Sequence, residues 1–216
     1  MDAFVARQPI LDRASEIYGY ELLFRSGLEN FFSHPDVDRA AAQVIHDSMH
    51  VFGLEMLAAD RRVFVNATRR VVVEDLYAVL PREQAVVELL ESVVPDDEVV
   101  EACRRVKAAG YGLALDDFVW HPGCERLLPF VDVVKIDFAA VRGEELAELV
   151  ARLRAWPVRL LAEKVETAEE YAAALGLGFE LFQGYLFSHP EIVSARALPP
   201  PYREAVSWVE RGGDEG

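Results

Sequence analysis

Gly112-Leu-Ala-Leu-Asp-Asp-Phe118 sets the frame for reading this chain. Mostly apolar residues run straight into two adjacent carboxylates, the pattern of a buried parallel strand that ends abruptly in charge. Burying Asp116 and Asp117 side by side costs several kcal/mol unless positive charge sits against them, and a divalent metal ion is one source of it. A plainer reading is open at this point, because Asp often caps the helix that follows a strand, and an acidic pair alone is a weak motif.

Similar strands recur on both sides of this stretch. Upstream, residues 4–11 and 17–25 read as strands joined by a short polar turn at 12–16, so the first pair is an antiparallel hairpin. Residues 38–52 have helical periodicity and end at Gly53; 62–68 is a strand; 71–80 is a helix stopped by Pro81; 85–91 is a strand; 97–109 is a helix closed by Gly110. Downstream come a loop at 121–125, a short helix near Leu127, a strand at 133–137 and a helix at 144–155. A strand at 159–164, a helix at 167–175 and a last strand at 180–187 complete the series. Strand and helix alternating every ~20 to 30 residues, over eight strands, imply a closed α/β barrel. A doubly wound open sheet is the alternative, but no Gly-rich phosphate loop follows the first strand.

At 216 residues and 52% hydrophobic, the chain can bury a sizeable core. The expected layout is a barrel domain over 1–196 and a proline-rich tail over 197–216. In that tail Tyr202, Val206 and Val209 form one stripe of a short helix. Neither terminus reads as a leader or a membrane span, so the expected location is the cytoplasm, without membrane insertion. Cys103 reads as core filler, and Cys103 and Cys124 together have no metal-ligand spacing. A net charge of −15 argues against a nucleic-acid duplex or an anionic membrane as partner. A small phosphate ligand stays open, since it needs only local cations.

In a barrel of this kind, polar residues at the carboxyl ends of the strands converge on one site. Those ends supply Glu21 with Arg25, then Asn66, Glu88 with Glu91, Asp116 with Asp117, Lys135 with Asp137, Glu163, and Gln183. Each has a dull explanation alone, but so many charged and amide groups on otherwise apolar strands make a poor core. Oxygen donors of the Glu, Asp and Asn types suit hard cations such as Mg²⁺ or Mn²⁺, and the adjacent pair suits two ions sharing a carboxylate. With no His among the candidates, zinc is disfavoured. Two such cations with one Lys and one Arg can hold a phosphodiester and activate water for in-line attack.

Gln8-Pro-Ile, Gly19-Tyr-Glu-Leu-Leu-Phe-Arg25, Val65-Asn66, Glu88-Leu-Leu-Glu91, Leu115-Asp-Asp-Phe118, Val134-Lys-Ile-Asp137, Ala162-Glu-Lys-Val-Glu-Thr167 and Phe182-Gln-Gly-Tyr185 together resemble the EAL domain family. The likeness runs over about 5–190. It implies a modified TIM (β/α)₈ barrel with an antiparallel first strand, and hydrolysis of cyclic di-GMP to linear pGpG. By the same resemblance, Glu21, Asn66, Glu88, Asp116 and Asp117 are metal ligands for Mg²⁺ or Mn²⁺, two per site in an active member. Lys135 positions the attacking water, and Glu163 completes the metal and water site. Gln8, Arg25, Gln183 and Asp137 hold or line the ligand, and Glu91 braces the loop after Asp117. A homodimer and a signalling protein partner are the expected associations.

Departures from the family pattern are as informative. The name motif reads Glu21-Leu-Leu instead of Glu-Ala-Leu, which keeps the carboxylate. Position 164 is Lys where active members usually have Gly, placing a second cation beside the site. The loop after Asp117 reads Phe118-Val-Trp-His-Pro-Gly-Cys-Glu125 where active members have Phe-Gly-Thr-Gly and small hydroxylated residues. This variant resembles EAL domains fused to a C-terminal HDOD module, so the chain reads as a stand-alone or truncated relative. Three functions follow as expectations: a phosphodiesterase, a cyclic di-GMP receptor without turnover, or an interaction scaffold engaging a partner through the tail helix and the Trp120 loop.

Overall fold

The computed structural model describes residues 4–25, 38, 41, 43–45 and 53–194. The expected tail helix lies outside the described residues, as does most of the expected helix over 38–52. Positions 38, 41 and 43–45 of that helix are helical.

Strands β1 (Phe4–Asp12) and β2 (Ile17–Arg25) form the expected antiparallel hairpin, with Gln8 opposite Glu21. Asp12 closes the turn by accepting the Ala14 and Glu16 backbone N–H groups. The chain then runs through α1 (Leu54–Ala58), β3 (Arg62–Ala67), α2 (Arg69–Val73), β4 (Ala85–Leu89), α3 (Asp97–Ala108) and β5 (Gly112–Leu115). β6 (Val133–Asp137), α4 (Gly143–Leu153), β7 (Arg159–Glu163), α5 (Ala168–Gly176), β8 (Leu181–Phe182) and β9 (Glu191–Ser194) complete it. Parallel pairing links β2 through β8 in order, and β1 closes the ring by pairing antiparallel with both β8 and β2. The barrel is therefore closed, with its first strand reversed.

Several local expectations change. β9 was not foreseen: it lies outside the ring, antiparallel on β1, with Val5 opposite Val193. α1 was also unforeseen. The single helix expected over 71–80 is instead α2 followed by a separate 3-10 turn at Leu76–Val79, because Asp75 adopts a left-handed conformation between them (φ 55°). The strand expected over 112–118 stops at Leu115, and no helix starts at the acidic pair. Helix capping falls to Thr68, Asp96 and Thr167, the last through a reciprocal capping box with Glu170.

A period of two organises the barrel interior. Ile10, Phe64, Val86, Ala114, Val133, Leu161 and Leu181 meet in one small apolar cluster inside the ring. Their strand neighbours, such as Val63, Val65, Val87, Leu113, Val134 and Ala162, belong to the larger core between ring and helices. Successive strand side chains point to opposite faces, so the residue two positions beyond each inner apolar residue also faces inward. Those residues are Asn66, Glu88, Asp116, Lys135, Glu163 and Gln183 on the parallel strands. On the reversed β1 the same step taken backwards, from Ile10, reaches Gln8. An apolar layer thus floors a polar one, and the strand direction puts the polar layer at the carboxyl ends.

Candidate active site

Lys135 lies at the centre of that polar layer. It is wholly buried, and its Nζ donates to Glu163 Oε1 at 2.7 Å, Asp116 Oδ1 at 3.0 Å, Glu21 Oε2 at 3.3 Å, and also to Glu88. Burial alone would lower an ammonium pKa, but Glu163, Glu21, Glu88 and Asp116 outweigh it and hold Lys135 well above the ordinary lysine value. Burial acts oppositely on the acids. It lifts Glu163 to about 8 and Glu88 well above the ordinary glutamic range, against the pull of Lys135. At Asp116 burial also pushes upward, yet Lys135 and the hydrogen bonds it receives win, and its pKa lies below the usual aspartic value.

Gln183 Nε2 ties the layer to the hairpin, donating to Glu21 Oε2 at 2.8 Å and Gln8 Oε1 at 3.1 Å. Gln8 in turn donates to the Ser188 carbonyl at 3.0 Å. Above these groups opens a cavity of about 360 Å³, lined among others by Gln8, Glu21, Asp116, Asp117, Glu163 and Gln183. Glu88 and Lys135 are wholly buried and lie outside its lining.

Asp117 and Lys164 sit at the rim, after β5 and β7. Both are non-glycine residues in left-handed backbone, at φ 40° and 55°, where a side chain crowds its own backbone. Lys164 Nζ donates to both Asp117 oxygens at 3.2 Å and to Asp137 Oδ2 at 2.5 Å. Burial lowers Lys164's pKa, but Asp137 and Asp117 more than offset it, so the pKa rises. Neither acidic side chain of the pair accepts a backbone N–H among the described residues, which sets aside the helix-cap reading. Asp137 does take a capping role: Oδ1 accepts from Ala139 N at 2.6 Å and Ala140 N at 3.1 Å. Burial works against its ionised form, but the Lys164 ammonium and the Ala139 amide lower its pKa overall.

The expected site residues therefore divide. Gln8, Glu21, Asp116, Asp117, Glu163 and Gln183 surround one cavity, with Glu88 and Lys135 buried outside its lining. Asn66 stands beside Glu88 in the β3–β4 register. Asp137 is turned to backbone amides and Lys164, outside the cavity lining. Glu91 is exposed, makes no hydrogen bond or ion pair among the described residues, and lines a separate cavity of about 230 Å³ with Asp117, Val119 and His121. Arg25 ends β2 opposite Phe4; its side chain lies outside the described residues. The main cavity also takes in Ala139, Glu166 and Tyr185, none of them singled out as a site residue. The Tyr185 ring lies 4.1 Å from that of His189.

The loop after Asp117 is held from within. Phe118 N donates to the Lys135 carbonyl at 2.9 Å. The Phe118 ring meets Trp120 edge to face, and the Arg152 guanidinium lies 5.4 Å from the Trp120 ring. Trp120 is thus engaged by its own chain.

The donors fit hard divalent cations. Asp116, Asp117 and Glu163 each bring a carboxylate oxygen within 4.8 Å of the others. Asn66 Oδ1, Glu88 Oε2, Glu163 Oε2 and Gln183 Oε1 are buried without a hydrogen-bond partner among the described residues. Unpartnered buried oxygens are costly, and a cation satisfies them; an all-oxygen set selects the Mg²⁺, Mn²⁺ and Ca²⁺ class over zinc.

Closed ring, reversed first strand and acidic layer define a TIM-like barrel with a cluster of oxygen donors at its carboxyl end. A model of the EAL domain matches residues 3–190, and the chain belongs to the EAL domain family. It is 43% identical over 202 residues to the cyclic di-GMP phosphodiesterase CdgJ of Vibrio cholerae, across 92% of this chain and 47% of that one. It is 38% identical over 203 residues to the uncharacterized protein YuxH of Bacillus subtilis, across 92% and 50%. The chain therefore spans about half the length of these curated relatives. Among solved structures, the calcium and cyclic di-GMP complex of BlrP1 from Klebsiella pneumoniae superposes with a TM-score of 0.70 at 23% identity, over 89% of this chain and 57% of that one. Among the described residues no helix is long and apolar enough to cross a membrane.

Proposed function

We propose that this chain is a divalent-metal-dependent cyclic di-GMP phosphodiesterase that opens the ring to give pGpG. The observation that carries the proposal is the buried carboxylate cluster around Lys135, in which Glu88 and Glu163 keep unpartnered oxygens while Glu21, Asp116 and Glu163 line a cavity of about 360 Å³. Similarity to a named phosphodiesterase over 92% of the chain supports it.

Glu21, Asn66, Glu88, Asp116, Asp117 and Glu163 would hold Mg²⁺ or Mn²⁺. Bound there, such ions lower the pKa of water and screen the phosphodiester charge. Lys135, whose acidic neighbours hold its pKa well above the ordinary lysine value, would position the attacking water with its ammonium. Glu163 would complete the metal and water site through its unpartnered Oε2. Gln8 and Gln183, with Arg25 from the end of β2, bind the dinucleotide. Gln183 also fixes Glu21.

Incubation of purified protein with cyclic di-GMP and Mg²⁺ or Mn²⁺ should yield pGpG; no product with either ion at high enzyme concentration refutes the hydrolytic reading. One observation favours a receptor without turnover as the second reading: Asp117, a candidate ligand, has both oxygens engaged by Lys164. Tight calorimetric binding of cyclic di-GMP without product would select it. A cytoplasmic homodimer that signals through a protein partner, built as the EAL half of an EAL–HDOD protein, fits the relatives' greater length.

A further inference from the structure

We propose that the Lys164 ammonium takes the place of a second divalent cation beside Asp117, so that the site holds one ion where its acidic donors suggest two. The inference rests on the metal-site reading above and concerns how many ions that site accepts; a one-ion site favours the receptor reading over turnover.

Its first support is a contrast among the oxygen donors of the polar layer. On the β3, β4 and β7 side, Asn66, Glu88 and Glu163 each keep a buried oxygen without a partner. Asp117, by contrast, has both oxygens engaged, because Lys164 Nζ lies 3.2 Å from each. The same ammonium reaches Asp137 Oδ2 at 2.5 Å, while Asp137 Oδ1 is taken by the Ala139 and Ala140 amides. Lys135 thus leaves buried oxygens of Asn66, Glu88 and Glu163 without a partner, whereas Lys164 engages both oxygens of Asp117.

Backbone geometry is the second support. Lys164 and Asp117 both adopt left-handed φ, and they face each other through the ion pair. A conformation that disfavours side chains persists where contacts over-determine it. Lys164 buries part of its stem and fixes its charge between two carboxylates from different strands, β5 and β6. A glycine at 164 would suit the turn and leave Asp117 and Asp137 without their cation.

A second ion at Asp117 must first displace Lys164 from both carboxylates and then remain beside the displaced ammonium. Both steps oppose binding. A first ion would be held by Asn66, Glu88 and Glu163 through the oxygens that Lys135 leaves unpartnered.

The test counts ions in the full chain and in two variants. Lys164→Gly removes the cation and relieves the left-handed strain, so its folding is safeguarded; Lys164→Arg keeps a cation. Each protein is titrated with Mn²⁺ alone, by calorimetry for stoichiometry and by electron paramagnetic resonance for the spin coupling of paired ions about 3.5 to 4 Å apart. Expected are one ion and no coupling in the natural protein and in Lys164→Arg. Lys164→Gly should show two coupled ions, the second binding at least about tenfold more tightly than any second ion in the natural protein. Two coupled ions in the natural protein, or one in Lys164→Gly, overturn this inference and leave the metal site standing. No bound ion in any of the three overturns both.

Discussion

Lys135→Met tests the polar layer at its centre. Methionine nearly preserves the volume and removes the ammonium that faces Glu21, Glu88, Asp116 and Glu163. Their side chains are at most 16% exposed, so water does little to screen what is left behind. Removing one partner of a buried ion pair costs about 3 to 5 kcal/mol, which is large beside the ~5 to 15 kcal/mol of a typical domain. The four acids can escape part of that cost by taking up protons. A carboxyl whose folded pKa is raised above its unfolded value keeps its stability at low pH and loses it as pH rises through the window between the two. Without Lys135 more of the cluster joins Glu163 and Glu88 in that class, and Asp116 loses the partner that now holds its pKa down. The loss should therefore be largest, about 3 to 5 kcal/mol, at pH 8 and shrink towards pH 5. Urea unfolding in EDTA across that range measures it, and added Mn²⁺ should recover part of the loss by supplying positive charge to the same oxygens. A penalty below about 1 kcal/mol at pH 8, or one that does not shrink towards pH 5, refutes the account of Lys135 as the layer's compensating charge.

Three further outcomes follow. Mn²⁺ binding near pH 7 should release protons, because burial holds Glu163 at about 8 and a ligand must ionise; calorimetry in buffers of different ionisation enthalpy detects this, and identical enthalpies would contradict it. Gly184→Ala should cost about 3 kcal/mol or more in urea unfolding, because a Cβ there would meet Val165 O at 2.2 Å and Val165 N at 2.3 Å, both backbone atoms, with φ at +154°. A change within about 0.5 kcal/mol would show that the β7 and β8 turns can separate freely. Cys103 is wholly buried, and burial pushes its thiol up to about 12, so it should resist iodoacetamide in the folded protein at pH 8 and react only after unfolding.

The barrel and the membership of its polar layer were legible in the sequence because both depend on strand periodicity. Phe64-Val-Asn66, Val86-Val-Glu88, Ala114-Leu-Asp116, Val133-Val-Lys135, Leu161-Ala-Glu163 and Leu181-Phe-Gln183 repeat one message: apolar inside, then polar inside two residues later. Five short parallel strands, β3 to β7, each ending in such a step leave little freedom in where the charges go. Single residues at strand ends were harder to read. Asp137 follows Lys135 by the same two-residue step, yet the chain turns there and its carboxylate caps that turn. β9 escaped because four residues after Pro190 carry too little periodicity to mark a strand, and only pairing with β1 makes them one.

Charge assignment among the acids belonged to the tertiary structure alone. Sequence places two lysines and seven carboxylates on strand ends without saying which meet, because each pairing joins residues 19 to 114 positions apart. Closure of the ring puts Lys135 against Glu21, Glu88, Asp116 and Glu163, and the left-handed turn at 164 aims the second ammonium at Asp117 and Asp137. Local periodicity determined which groups face the cavity; the closed barrel and its two strained turns decided which oxygens remain available to a metal ion.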